Sequence, residues 1–491
     1  MKIETKLLGS IALSALLIVG FTGCGDETTE TTNTTVGLTS AQVSSVIEAD
    51  RIPFGDGEFS PYERVAVFPT VKDGNGDLDH NATYAKVAEL ATTLATYVAR
   101  TDEPTDAPAS FKGTNWILAG VETAAVASDD NISKNILGIP TKLPINPNFA
   151  TSATNTKKVK VIEVCNSGYA SQALGVKNVG DLVAGDGLGA KVANGSYHAT
   201  ALPCEITIYN DDKGIYVDML NPETIFTLFF TEVFTSAEME NVFFKEAMLS
   251  LPSQVKGEIY AMIYKAFDDN SETYTKTDYK MGPLYSTMTS VLATTDTANG
   301  GKEPYRHYKY TAADSATEFT ATDAKNIAAQ IMEVMTIDGA ANVGAQETAL
   351  FSALPSQLAD TPVNPKWRSG RHEPLKVPGG TYIVEACSPT YAKEATATGE
   401  YHTAALPCEI AVKVNPDDNN SIDISILNPE FMFGALFADA MAEMDATEIA
   451  GFNTIIDNIN GDLLKIVDYA MENNITAVDG STDVKITPIV Y

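Results

Sequence analysis

Two groups of side chains with matching spacing carry the chemistry this chain could perform: Cys165, His198 and Cys204, and then Cys387, His402 and Cys408. They centre on YHATALPCEI (197–206) and YHTAALPCEI (401–410), identical at eight of ten positions, with each histidine six residues before its second cysteine. Three chemistries fit such a set. In an exported protein the two cysteines of each group are suited to a disulfide. Closing loops of this size stabilises by roughly 3–4 kcal/mol in the chain-entropy model. Alternatively, two thiolates and an imidazole could hold zinc, copper or haem iron, with Glu205 and Glu409 as nearby further ligands. The close spacings of C-x-x-C, C-x-x-C-H and H-E-x-x-H are absent. Thirdly, the thiols could cycle between dithiol and disulfide. Cys165 and Cys387 precede short helices, which would lower a thiol pKa, whereas Glu163 and Glu385 two residues earlier would oppose that.

The elements that must position these residues are written twice. VKVIEVCNSGYA (159–170) answers to TYIVEACSPTYA (381–392), LPINPNF (143–149) to TPVNPKW (361–367), and MLNPETIF (219–226) to ILNPEFMF (426–433). VKGEIYAMIYKAF (255–267) parallels INGDLLKIVDYAM (459–471), and offsets across all these blocks stay between 204 and 222 residues. Alternating β-branched residues in KVKVIEV and TYIVEA predict half-buried strands. EITIYNDDKGIYVDML predicts a hairpin turning at residues 210–214, and EIAVKVNPDDNNSIDISIL repeats it with a longer turn. Asn221-Pro222-Glu223 and Asn428-Pro429-Glu430 each supply an N-cap, a first-turn proline and an acid at the positive helix end. The first of these helices places Ile225, Phe226, Phe229, Phe230, Val233 and Phe234 on one core stripe. Its counterpart carries Phe431, Met432, Ala435, Leu436 and Ala440, interrupted by Asp439. Each copy therefore reads as an α+β unit, giving two tandem antiparallel sheets with helices on one side. The predicted units are 51–270, with its motif core at 158–235, and 271–491, with its core at 381–442. Pro203 and Pro407 are expected to start the strands that carry Cys204 and Cys408.

The run Val/Ile-Glu-x-Cys-Asn/Ser, Tyr-Ala, Leu-Pro-Cys-Glu-Ile, acidic hairpin turn and Asn-Pro-Glu resembles the family catalogued as domain of unknown function 302. The resemblance implies a curved antiparallel sheet similar to that of the TATA-binding protein. It also implies pairing, so that two linked copies would form an intramolecular pseudo-dimer. It supplies no reaction and no cofactor. Residues 51–140 and 271–355 exceed the family core and match each other poorly.

At the N-terminus, Lys2 and Lys6 precede an apolar stretch from Leu7 to Phe21, too short for a comfortable permanent membrane span. Phe21-Thr22-Gly23-Cys24 resembles a bacterial lipobox and implies cleavage after residue 23 with lipid on Cys24. Residues 24–50 then form a lipidated tether, whose Thr-, Glu- and Asp-rich start has little to bury. The expected location is the periplasm, anchored to the cell or outer membrane. Loss of residues 1–23 leaves 31 basic against 63 acidic side chains, a net −32. That excess argues against nucleic acid as a partner. A small molecule or a protein remains open as the partner.

Weaker signals are Asp73-Gly-Asn75-Gly-Asp77-Leu-Asp79, read as an acidic turn because the calcium-loop glycine and glutamate are missing. Gly185-x-Gly187-x-x-Ala190 reads as a loop. His80, His307 and His372 are expected to face solvent. The sequence thus supports a binding protein first, with metal or haem handling and thiol oxidoreduction as alternatives.

Overall fold

The computed structural model describes residues 60–99, 116–118, 136–140, 158–166, 169–170, 173–174, 196–202, 204–230, 233, 242–285, 303–312, 318–335, 367, 374–377, 380–406, 408–415, 418–474 and 485–489. The signal-like segment and tether, Cys24 included, lie outside the described residues, as do Pro203, Pro407, Phe234 and His372.

Two antiparallel sheets with attached helices give an α+β architecture. The first sheet contains β1 (Tyr62–Phe68), β2 (Trp116–Leu118), β3 (Ile136–Pro140), β4 (Lys158–Asn166), β5 (Cys204–Asn210), β6 (Ile215–Leu220) and β7 (Thr275–Met281). Its order is β2-β4-β5-β6-β1-β7, with β3 also paired to β4. The second sheet runs β13-β8-β12-β11-β10-β9. Its strands are β8 (Tyr305–Thr311), β9 (Leu375–Val377), β10 (Thr381–Ala386), β11 (Cys408–Val414), β12 (Ser421–Leu427) and β13 (Lys485–Ile489). Because β7 pairs with β1, the first sheet extends past the expected boundary at residue 270, out to Met281.

The hairpins turn where expected. Asp211 Oδ1 accepts from the amides of Lys213 and Gly214, at 2.6 and 3.0 Å, and from the Tyr216 hydroxyl at 2.8 Å. In the longer turn, Asn415 and Asp418 side chains accept from the amides of Asp418 and Asn420. Such local bonds are why Asp and Asn collect at bends. Helices α1 (His80–Val98), α2 (Pro222–Phe229) and α3 (Val242–Asp269) accompany the first sheet. Those of the second are α4 (Ala321–Val334), α5 (Pro389–Thr396), α6 (Pro429–Leu436), α7 (Ala438–Glu443) and α8 (Ala446–Asn474). Asn221 and Asn428 cap α2 and α6 by accepting from Glu223 and Glu430 amides, at 3.1 and 3.2 Å. Ile225, Phe226, Phe229, Phe230 and Val233 are buried as the stripe requires.

Residues 51–140 and 271–355, poorly matched in sequence, supply corresponding parts. β1 pairs with β6 and β8 with β12, so Tyr62 faces Leu220 and Tyr305 faces Leu427. Helix α1 covers β4 and β5, and α4 covers β10 and β11. Asp79, in the acidic turn, caps α1 by accepting from the Ala82 amide at 2.9 Å.

The two strands predicted to be half-buried are covered on both faces, β10 throughout and β4 from Val161 to Asn166, and β5 is likewise buried along its length. The reason is the 3₁₀ helix that carries each Tyr-His pair. Ser196–Ala201 lies on β10, β11 and β12 of the second sheet, and Glu400–Ala405 lies on β1, β4, β5 and β6 of the first. Each sheet thus has helices on one face and the other sheet's Tyr-His turn on its opposite face.

Candidate functional site

Alternation along a strand decides where each cysteine goes. Val164 pairs with Cys204, and Ala386 with Cys408. Cys165 and Cys387 therefore stand one residue out of step with their expected partners, and successive side chains point to opposite faces of a sheet. The members of each pair reach the same end of the sheet, as expected, but all four are free thiols rather than disulfides. Cys204 donates weakly to the Leu202 carbonyl at 3.7 Å.

Beside each sheet end is a small cavity, with room for the centre of a water molecule over about 10 Å³ in the first half and 20 Å³ in the second. Trp116, Cys165, Tyr169, Leu202, Cys204 and Phe226 bound the first. Trp367, Cys387, Tyr391, Leu406, Cys408 and Phe433 bound the second. A buried acid closes each wall. Glu258 of α3 accepts from Trp116 Nε1 at 2.7 Å and from the Tyr169 hydroxyl at 2.5 Å. Asp462 of α8 accepts from Trp367 Nε1 and the Tyr391 hydroxyl, both at 3.1 Å. Space of this size holds one water and no organic ligand. Sequence reading singled out the cysteines but not Trp116, Trp367, Glu258 or Asp462, although Glu258 and Asp462 hold matching places in the similar segments 255–267 and 459–471 and the chain has only two tryptophans.

The histidines do not join the thiols. His198 stacks on Phe230 at 4.5 Å between ring centroids, with Tyr197 at 4.4 Å. The ring of Tyr305, from the second sheet, lies 5.5 Å away. His402 stacks on Phe437 at 4.2 Å, and Tyr62 of the first sheet lies 5.3 Å away. Its Nδ1 shares a 2.7 Å hydrogen bond with Thr398 Oγ1, and its Nε2 is 3.5 Å from Asp439 Oδ1. Asp439, which interrupts the apolar stripe, also accepts from the Tyr401 hydroxyl at 2.6 Å. Burial lowers the pKa of His402 despite the opposing Asp439 carboxylate. His307, expected in solvent, instead packs its ring 4.6 Å from Tyr197 and shares a 3.0 Å hydrogen bond with Ser425; burial lowers its pKa to about 4. His80 is also largely covered, with Nδ1 3.8 Å from Asp212.

The set that does converge is acidic. Glu163 pairs directly with Glu205, and Glu385 with Glu409, so each couple shares one sheet face. Oxygens of Glu163, Glu205 and Glu409 lie within 4.8 Å of one another, which joins the two sheets at this point. Among the described residues this is the sole group of three or more His, Cys, Asp or Glu ligand atoms so close. Glu205 and Glu409 were legible as candidate ligands, whereas Glu163 was legible only as a neighbour of Cys165. Burial, then Glu409 and Glu385, push the Glu205 carboxyl well above its usual range. Cys165 shares the face of Glu163. Its thiol is pushed up to about 12 by burial first and then by Glu409 and Glu205. Burial, followed by Glu409, likewise raises Cys408 to about 12, and Cys204 is raised in the same direction by burial and Glu205. Thiols held protonated in this way are poor nucleophiles.

Residues 376–459, from β9 into α8, match the family model described as a domain of unknown function, DUF302. No curated protein and no solved structure matches the chain.

Proposed function

We propose that this chain is a lipid-anchored bacterial envelope protein whose two copies of one unit dock as an intramolecular pseudo-dimer and serve in binding. The observation that carries this reading is reciprocal. Tyr62 of the first sheet packs on Tyr401 and His402 of the second half, at 5.2 and 5.3 Å. Tyr305 of the second sheet packs on Tyr197 and His198 of the first, at 4.9 and 5.5 Å. A surface used in both directions is the signature of a two-fold pairing. Each unit is read as a TATA-binding-protein-like sheet, in line with the DUF302 resemblance. Protonated, buried thiols favour holding over thiol oxidoreduction, and the separation of histidine from cysteine disfavours a Cys/His metal or haem site. Lipid on Cys24 would place this body at the membrane surface in the periplasm. The experiment is fractionation of the full chain and its Cys24→Ala variant, with intact mass. Anchoring requires the variant to move from the membrane to the soluble periplasmic fraction with loss of the lipid mass; a variant that stays in the membrane at unchanged processing defeats it.

A further inference from the structure

We propose that the cavity of the second half, bounded by Cys387, Ser388 and Cys408, is a copper(I) site with the two cysteine sulfurs as its ligands. The inference gives the binding reading above a ligand and rests on that reading's choice of holding over thiol oxidoreduction. It does not rest on the lipid or on docking, because every residue that bounds the cavity belongs to the second half.

Three observations converge. First, two thiols reach one space. Cys387 and Cys408 are each 5% exposed, line the same cavity and are not joined by a disulfide. The regular part of β10 ends at Ala386, so Cys387 leaves the pleat and reaches the cavity although it is out of step with Cys408. A disulfide needs its sulfurs about 2 Å apart, whereas one ion with bonds of about 2.3 Å bridges sulfurs up to about 4.6 Å apart. The second distance is close to the spacing of neighbouring strands. Second, the guest must be a single atom, since the room for a water-sized centre extends over about 20 Å³.

Third, the wall holds an unspent donor. Ser388 is 4% exposed, and its Oγ has no hydrogen-bond partner among the described residues. It occupies the N-cap of α5 without capping it. A buried hydroxyl left alone costs free energy, and a thiolate in the same cavity would accept its hydrogen bond. Asn166 stands at the corresponding place in the first half and spends its side chain on the Tyr169 amide at 3.1 Å, beside a cavity with half the room. The site is therefore assigned to the second half alone.

The donor set selects the metal. Trp367 Nε1 and the Tyr391 hydroxyl are committed to Asp462, which leaves two thiols and one hydroxyl in an otherwise apolar wall. Zinc in a closed site takes four ligands, and calcium and magnesium take six or more oxygens. Thiolates in so small a number suit the soft monovalent ion copper(I). Binding forms two S–Cu bonds and releases both thiol protons to water. No electron is transferred, and the S–Cu–S unit carries one negative charge. That charge is favoured by the Ser388 hydroxyl and by the N-terminus of α5, whose first turn includes the lining residue Tyr391.

The untagged full chain in detergent, reduced and kept under nitrogen, is titrated with copper(I) against bicinchoninate. It is expected to keep one copper(I) per chain through gel filtration, with X-ray absorption fine structure of copper bonded to two sulfurs. Cys387→Ser and Cys408→Ser are each expected to weaken copper(I) at least a hundredfold, and Ser388→Ala at least threefold. Cys165→Ser and Cys204→Ser are expected to leave its affinity within twofold. No retained copper, retention unchanged in Cys387→Ser and Cys408→Ser, or fine structure with only nitrogen and oxygen neighbours overturns the proposal. A thiol count after acid unfolding that has fallen by two reports a disulfide and overturns it as well. The absorption measurement on wild-type protein needs no variant to fold. Fractionation of Cys24→Ala and a photo-cross-link from position 62 report anchoring and docking without copper, so failure of the site is distinguishable from failure of the reading above.

Discussion

Replacing Asp462 by asparagine removes the ionisable group that Trp367 and Tyr391 share. Asp462 is 2% exposed and accepts from both at 3.1 Å, with Lys465 Nζ at 3.8 Å. Burial raises its carboxyl from 3.8 to about 6, outweighing the two donors and Lys465, which pull it down. The folded protein therefore holds this proton more tightly than the unfolded chain does. The stability contributed is fully present below the unfolded value and is lost as pH rises through the folded one. A gap of about two units is worth about 3 kcal/mol at 1.36 kcal/mol per unit. The asparagine variant has no such dependence. Its amide oxygen still accepts from the indole and phenol, so the comparison isolates the charge. Urea unfolding of both proteins from pH 3 to pH 8, followed by tryptophan fluorescence in a Trp116→Phe background, gives the difference directly. Wild type should lose about 3 kcal/mol relative to the variant across that range, most steeply between the two pKa values. A flat difference, or one that grows in favour of wild type towards high pH, refutes the assignment of a buried, proton-holding Asp462.

Tyr305→Ala should cost about 3–5 kcal/mol, as for a large buried aromatic. Tyr305→Phe should cost about 1 kcal/mol for the hydroxyl that donates to the Phe229 carbonyl at 2.9 Å, both read by urea denaturation. Cys165, Cys204, Cys387 and Cys408 should resist iodoacetamide at pH 8 in the native chain and all react once unfolded, as read by mass; rapid native labelling would contradict their burial. Asn428→Ala should lower stability by about 1 kcal/mol or more, because Asn428 caps α6 and also donates to the Glu303 carbonyl at 2.7 Å.

The hairpins, the Asn-Pro-Glu caps and the long helices were legible because each depends on neighbours in sequence: turn acids, a capping side chain, an apolar stripe. β1 and β8 were not. Pro61-Tyr62 and Pro304-Tyr305 begin both strands but stand 243 residues apart, outside the offset of the other blocks, because the intervening segments differ in length. Cys165 and Cys204 do reach one cavity, but no disulfide joins them, and they stand one residue out of step, since a strand's period of two makes register decide the face. His198 and His402 were legible as paired residues but not as aromatic contacts, because their neighbours Tyr305 and Tyr62 come from the other half of the chain. Glu163 and Glu385 hid in plain sight within strands: an acid in an apolar run reads as solvent-facing until a second sheet covers that face.

Reciprocal docking is tested most directly by benzoylphenylalanine placed at position 62 of the full chain and irradiated. Tyr62 lies 5.2 Å from Tyr401 and 5.3 Å from His402 between ring centroids. The expected product after trypsin is residues 52–64 joined to residues 394–413, the peptide that contains Tyr401, His402 and Cys408. Cross-links confined to peptides of the first sheet, with none to residues 394–413, would contradict the docking of the two halves.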